Sequence, residues 1–392
     1  MNKPLHGIKV LDLSRIIAGP FCTMHLADMG AEVIKVENPK TGDDLRNIPP
    51  FKDGGESAYF LLNNRNKKSI TLNLKNPKGK VVLEKLIIDA DVVIQNFRPG
   101  VMEKLGFTYE KMAEINPRII YCSISGYGDD NHSGAYDPIV QGESGIMSVN
   151  GDPDGSPVKV GVPVGDLMAS LYAVSGILCA ILTRNSTGKG QHIEISLLDS
   201  LVSLLALPAS IYVGLGQNPP RVGNGHPGFN PYDLYETKDG YINIACGNDN
   251  LWQKFCDATG LEQYKEDPRF LTLNDRKENR NELQKIAKAV LKMKSTDEWV
   301  QLFNAHDVPN GRIRTIKEVF ADDNLKRRKM IKTMNHPTAG IFEYMGNPVK
   351  MSAIPETEDC PPPILGEHTA PILKKLGYLT DEIAAMKREG VI

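Results

Sequence analysis

The chain has 392 residues, 41% of them hydrophobic, with 46 Lys plus Arg against 48 Asp plus Glu and a formal net charge of -2. Both signs are mixed along its length, which argues against nucleic acid or an anionic membrane as the main partner. The length gives room for two domains with a sizeable core.

The first third alternates strand and helix patterns. Gly7–Leu13 is a predicted strand, Ser14–Pro20 a turn, Phe21–Met29 a helix and Ala31–Glu37 a second strand. This βαβ unit implies parallel pairing. Pro77 can open a helix over Asn76–Asp89, followed by a strand at Asp91–Gln95 and a loop at Asn96–Gly100. Arg118–Ile124 is a further strand, ending in Ser125–Gly128. Val164–Leu182 is a long apolar run whose one charge is Asp166, behind Gly165. Its Leu167–Leu182 part is short for a membrane span and contains Ser170, Ser175 and Gly176, so it is expected to be a buried core helix. Gln191–Ile195 is a strand leading into a helix at Leu197–Leu207.

From Leu215 to Asn230 the composition shifts to Gly, Pro and Asn, as in a linker or mobile loop. A smaller α/β region follows, with a strand at Gly240–Cys246 and helices near Asn250, at Glu278–Met293 and at Thr296–His306. Proline-rich Ile354–Pro363 leads to the tail Ile364–Thr369 and a last helix near Asp381–Arg388. The six cysteines form no C-x-x-C pair, so neither zinc nor a disulfide framework is expected. They are expected to be buried thiols of a cytoplasmic protein whose N-terminus lacks a signal-peptide pattern.

Ligands of open α/β sheets bind beyond the carboxyl ends of the strands. The turns there offer helix-start amides around Ala18 and Gly19, with cations at Arg46, Arg98 and Lys104, which suits a phosphorylated ligand. Gly223-Asn-Gly-His-Pro-Gly228 matches G-x-G-x-x-G literally. With Asn218-Pro-Pro-Arg before it and no helix pattern after it, it does not meet the dinucleotide-binding context and is better taken as a flexible loop or lid. No G-x-S-x-G, phosphate-binding loop or H-E-x-x-H occurs, and the eight histidines lack metal spacing. On its own stretch, Asp166 is most simply an N-cap.

Taken together, the motifs change that weighting. Leu11-Asp-Leu-Ser-Arg15 with Ala18-Gly-Pro20, Gly30–Glu37, Asn96-Phe-Arg-Pro-Gly100, Gly165-Asp166, Gly188–Gln191 and Leu365–Thr369 resemble the class III coenzyme A transferases, the formyl-CoA and carnitine-CoA transferase group. The resemblance implies a Rossmann-like parallel-sheet large domain over 1–207, completed by 363–392, and a small α/β domain over 225–330. It implies linkers at 208–224 and 331–362 and an interlocked homodimer of ring-like chains. It also implies that Asp166 is a covalent nucleophile passing through anhydride and aspartyl-CoA thioester states, with acyl-CoA and a small carboxylic acid as substrates and no tightly bound cofactor or metal. CoA contacts carry over to Ile17, Ala18, Leu72, Lys75, Asn96, Phe97, Arg98 and Lys104. The loop residues Gly223, Gly225, His226 and Gly228 become a candidate cover that excludes water. A helix-start position is expected to keep Asp166 ionised.

The sequence departs from the family at Asn38, where many relatives carry arginine, and at Gly134, where formyl-CoA transferases carry lysine. The polyglycine lid of the oxalate enzymes is missing, which speaks against oxalate as acceptor. Related α-methylacyl-CoA racemases add a histidine in the segment Gly134–Asp137, where this chain has Tyr136. That favours transfer over racemisation, with a non-catalytic CoA-binding protein as the remaining alternative.

Overall fold

Six parallel strands form the central sheet: β1 (Lys9–Asp12), β2 (Glu32–Glu37), β3 (Lys67–Thr71), β4 (Val92–Gln95), β5 (Ile120–Ser125) and β6 (His192–Ser196). Their order is β3-β2-β1-β4-β5-β6, so the direction of winding reverses between β1 and β4. The computed structural model describes residues 3–354 and 358–392; residues 355–357, inside the stretch expected to be a linker, lie outside the described residues.

The central strands are apolar because helices cover both faces. Val92, Val93 and Ile94 are fully buried, and β5 is buried throughout. One face packs the Ala18–Asp28 and Val164–Thr187 helices through Cys22, Leu26, Ala169, Ala173 and Ile177. The other packs the Pro77–Ile88 helix and the C-terminal segment through Val82, Leu86, Leu373 and Met386. The 24-residue helix Val164–Thr187 is thus a core helix on one side, while Leu171, Tyr172 and Leu182 on it are exposed.

The chain divides into two units. The first comprises Met1–Ile146, Lys159–Ala206 and Asn324–Ile392; the second comprises Met147–Val158 and Leu207–Asp323. In the second, β7 (Tyr232–Glu236), β8 (Tyr241–Ala245) and β9 (Asn310–Arg312) form an antiparallel sheet. Its core gathers Trp252, Phe255, Phe270, Trp299 and Phe303.

Several expectations need correction. β3 was not recognised in the sequence, because Lys67-Lys-Ser interrupts its apolar run. The stretch 208–224 is not all irregular, since Ala206–Leu215 is helical. Residues 331–345 are no linker either: β10 (Ile331–His336) and β11 (Gly340–Met345) form a hairpin in the first unit. Alternation buries Met334, Phe342 and Tyr344 against Leu61 there. Of the six cysteines, all free, Cys179 and Cys360 are exposed rather than buried.

Candidate active site

At the carboxyl ends of β1 to β4 lies a cavity of about 630 Å³. It spans the reversal in strand order, where doubly wound sheets take their ligands. Leu72, Lys75, Phe97 and Arg98, four of the eight residues expected to contact CoA, line it. Arg15 and Lys40 line it as well and were not anticipated. Lys104 is exposed on the Val101–Leu105 helix and is not among the lining residues. The two lining acids, Glu37 and Asp43, are already engaged. Glu37 holds Arg46 through two hydrogen bonds of 2.7 and 2.8 Å, and Asp43 pairs with Lys35 at 2.8 Å. Arg46, expected to face a ligand, is therefore a half-buried structural partner. The side chains of Lys40, Lys75 and Arg98 have no hydrogen-bond or ion-pair partner among the described residues, so the cavity presents surplus positive charge.

The turn after β1 is held from both sides. The Asn96 side chain accepts the Arg15 amide at 2.8 Å and donates to the Arg15 carbonyl at 2.7 Å. Asn96, expected to contact CoA, thus spends its amide on positioning the turn. Arg15 lies 5.1 Å from the Phe97 ring and pairs with Asp44. Ile16 has φ of 67°, a costly conformation for a β-branched residue. Its amide donates to Asp43 at 3.0 Å.

Beneath the turn is a buried charge cluster that sequence reasoning missed. Lys35 donates to the Ser14 carbonyl, and Lys67 donates to Asp12, Asn64 and the Pro20 carbonyl. Burial works to raise the Asp12 carboxyl, but Lys35 and Lys67 overcome it and hold the group well below the usual range. Burial pushes the Lys67 ammonium down to about 8 against the pull of Asp12. The available signal was the placing of Asp12 and Lys35 inside otherwise apolar central strands.

Asp166 lies in the first turn of the Val164–Thr187 helix, but it is not the cap. Pro163 holds the N-cap position with no side-chain hydrogen bond. Asp137, on the Asp137–Glu143 helix, accepts the Gly165 amide at 2.7 Å and the Asp166 amide at 3.4 Å, while Gln141 donates to its other oxygen at 2.6 Å. A Cβ on Gly165 would stand 2.9 Å from Asp137 Oδ1. The glycine of the Gly-Asp pair therefore permits the approach of a second carboxylate. One turn along, Ser170 Oγ lies 2.5 Å from the Ala18 carbonyl and 2.7 Å from that of Asp166, which ties this helix to the start of the Ala18–Asp28 helix.

The Asp166 carboxylate has no hydrogen-bond or ion-pair partner among the described residues. Burial, then the like charge of Asp137, pushes it up to about 7. This corrects the expectation of a carboxylate held ionised by the helix: the amides that would do so are already bonded to Asp137. The result is an under-solvated carboxylate near half ionisation at neutral pH, a combination found at catalytic sites.

The remaining motifs separate. The tail Leu365–Thr369 is structural: the Gly366 amide donates to Ser69 Oγ, the Thr71 amide to Thr369 Oγ1 and the Ser69 amide to His368 Nδ1, which covers the β3 edge. Tyr136 is 73% exposed. The loop Gly223–Gly228 belongs to the second unit, where it is anchored: Arg280 donates to the His226 carbonyl at 2.7 Å, and the His226 ring stacks on Phe229 at 4.1 Å. Among the described residues, no group of His, Cys, Asp and Glu could hold a metal ion.

Strand order, crevice and carboxylate pair define a doubly wound α/β protein with a cationic cleft and a half-buried acid that has no hydrogen-bond or ion-pair partner among the described residues. Residues 5–369 match the CoA-transferase family III profile, and the chain belongs to that family and is a CoA-transferase using CoA thioesters as substrates. It is 41% identical over 395 residues to succinyl-CoA:glutarate CoA-transferase of Mus musculus, covering 100% of this chain and 90% of that protein. It is 36% identical over 420 residues to formyl-CoA:oxalate CoA-transferase of Rhodopseudomonas palustris, covering 100% and 97%. The crystal structure of a CAIB/BAIF family protein from Brucella suis superimposes with a TM-score of 0.87 at 38% identity, covering 96% of this chain and 100% of that one.

Proposed function

We propose that this CoA-transferase moves CoA from a dicarboxylic acyl-CoA to a free dicarboxylic acid of the succinate and glutarate type, with Asp166 as covalent nucleophile. An Asp166 oxygen attacks the thioester carbon, the C–S bond breaks, and a mixed anhydride and CoA thiolate result. The thiolate attacks the aspartyl carbonyl and expels the donor carboxylate, leaving an aspartyl-CoA thioester. The acceptor carboxylate attacks that thioester and again releases thiolate. The thiolate then attacks the acceptor acyl carbon and returns Asp166 as carboxylate. No water, metal or redox partner enters the balance, and thioester energy is kept throughout.

The observation that carries this reading is the Asp166 carboxylate itself, half-buried and without a hydrogen-bond partner among the described residues, while Asp137 serves the helix amides. The acid class is supported by the names of relatives, among them a succinate–glutarate CoA-transferase of Agrobacterium fabrum, 38% identical over 382 residues. We further propose that two chains associate as the interlocked homodimer of the resemblance. The exposed Leu171, Tyr172 and Leu182 along the Val164–Thr187 helix, and Val202 after it, support an apolar contact.

The test is covalent labelling. Enzyme mixed with donor acyl-CoA alone should yield a hydroxamate with hydroxylamine, or an alcohol with borohydride, mapped to the peptide containing Gly165-Asp-Leu167. Asp166→Ala should show neither. A label on another residue, or rapid turnover with no label, overturns the assignment. Rapid solvent-deuterium exchange at the α-carbon of a 2-methylacyl-CoA would instead favour racemisation.

A further inference from the structure

Every amide at the head of the Val164–Thr187 helix is taken. The Leu167 amide donates to the Pro163 carbonyl at 3.0 Å, which makes Pro163 the N-cap and Asp166 the third helical residue. The Val164 amide donates to the Val162 carbonyl at 2.8 Å, and Asp137 accepts the Gly165 and Asp166 amides at 2.7 and 3.4 Å. Buried Gln141 keeps Asp137 in that place, donating to its other oxygen at 2.6 Å and accepting the Val160 amide at 2.8 Å. Pro163 itself has no N–H to give.

An acid at the third helical position commonly reaches back to the N-cap amide. Elsewhere in this chain it does. Asp275 accepts the Thr272 amide at 3.0 Å, Glu298 that of Ser295 at 2.8 Å, Glu318 that of Thr315 at 2.7 Å and Glu382 that of Leu379 at 2.7 Å. The Thr272 hydroxyl and the Ser295 and Thr315 amides hold Asp275, Glu298 and Glu318 below their ordinary range. Asp166 has the same place in its helix and is displaced the other way, by burial and by Asp137, the charged neighbour that acts on it. Its N-cap is a proline, where those four helices have residues with an N–H. Resting on the reading of Asp166 as nucleophile, we propose that Pro163 is a positioning residue for transfer. It denies Asp166 the backbone donor that would otherwise engage its carboxylate, and so leaves that carboxylate uncommitted for attack on the thioester. Burial alone would not do this, since a buried polar group takes a donor that is in reach.

The test replaces Pro163 by alanine, in the parent and in the Asp166→Ala background, and reads transfer kinetics and urea unfolding at pH 8. Pro163→Ala returns an N–H to the N-cap, and Asp166 is expected to take it. Transfer should then lose about tenfold in kcat, the worth of one hydrogen bond to a charged group. KM for acyl-CoA and binding of free CoA should change by less than about twofold, because no cavity residue is altered. The pH at which kcat rises should move down by about one unit, since the new bond favours the ionised carboxylate. In unfolding, Pro163→Ala in the Asp166→Ala background shows only the loosening of the unfolded chain. In the parent the new bond offsets that loss, so the midpoint change should be more favourable there. Equal midpoint changes in both backgrounds would overturn the proposal, because no bond to Asp166 would have formed. Coupling in unfolding with kcat and its pH profile unmoved would overturn it through the nucleophile reading on which it rests. The unfolding cycle needs no turnover, so the two failures are told apart.

Discussion

Asp137 accepts the Gly165 amide at 2.7 Å, and a methyl group on Gly165 would stand 2.9 Å from the same oxygen. This contact decides what Asp166 is. A helix start offers amides to whichever acid reaches them first, and here that acid comes from a neighbouring helix. Asp166 is left in the first turn with burial and a like charge, and without the hydrogen bonds that would pacify it.

Gly165→Ala should therefore act on chemistry as well as on stability. The added methyl also meets Leu201 at 3.2 Å, so either Asp137 or the helix must shift. We expect a loss of about 1–3 kcal/mol in denaturant unfolding. Transfer should fall by more than tenfold with CoA binding retained. Full activity in this variant would show that the Asp137 contact is incidental.

The raised Asp166 carboxyl makes a pH prediction with a fixed sign. Unfolded, the group titrates as an ordinary aspartate near 3.8; folded, it holds its proton up to about 7. Between those values the native state binds more protons, so stability is lost as pH rises, on the order of 4 kcal/mol at full shift. Relative to the parent, Asp166→Asn should raise the melting temperature modestly at pH 5, where part of the penalty is already present, and by clearly more at pH 8. If Asp166 is the nucleophile, transfer by the parent enzyme should climb with pH toward a plateau above about 7, because only the ionised carboxylate would attack. Equal melting temperatures at both pH values would contradict this electrostatic account.

The parallel sheet was legible because its strands are short apolar runs set between helix patterns, and five of the six were placed to within a few residues. β3 escaped because Lys67 and Ser69 are buried by polar partners, Asp12 and Glu37, that come from other strands. The motif singled out Asp166 as the candidate nucleophile, but its electrostatic state could not be read there. That state depends on Asp137, 29 residues away in the chain and in contact only once the two helices pack. The role of Asn96 was likewise hidden, since an amide that binds a backbone turn has the same letter as one that binds a ligand.

A bulky residue at Gly225 tests whether the anchored loop of the second unit matters. A Cβ there would meet Arg280 Nη2 at 2.2 Å, and the guanidinium can escape only by leaving the His226 carbonyl. Gly225→Val should cost about 1–2 kcal/mol in stability. If the loop excludes water during turnover, hydrolysis of donor acyl-CoA should rise relative to transfer, followed by free-thiol release without acceptor. An unchanged ratio would remove the loop from the mechanism.

Asp43 separates stability from positioning at the turn. It is buried, pairs with buried Lys35 and receives the amide of strained Ile16. Asp43→Ala leaves a buried ammonium with Asp12 at 3.9 Å as its nearest acid, and breaking such a pair costs about 3–5 kcal/mol. Replacing both partners, as Lys35→Met with Asp43→Leu, should recover much of that stability, because an apolar pair removes the stranded charge. The double variant still offers no acceptor to the Ile16 amide and no donor to the Ser14 carbonyl, so the Arg15–Ile17 turn should relax out of its strained conformation. We expect near-parental unfolding midpoints together with a KM for acyl-CoA raised several-fold, and Asp43→Asn, which keeps an acceptor oxygen, should be milder in KM than either. A double variant with both its stability and its KM restored would show that the cluster serves the fold alone.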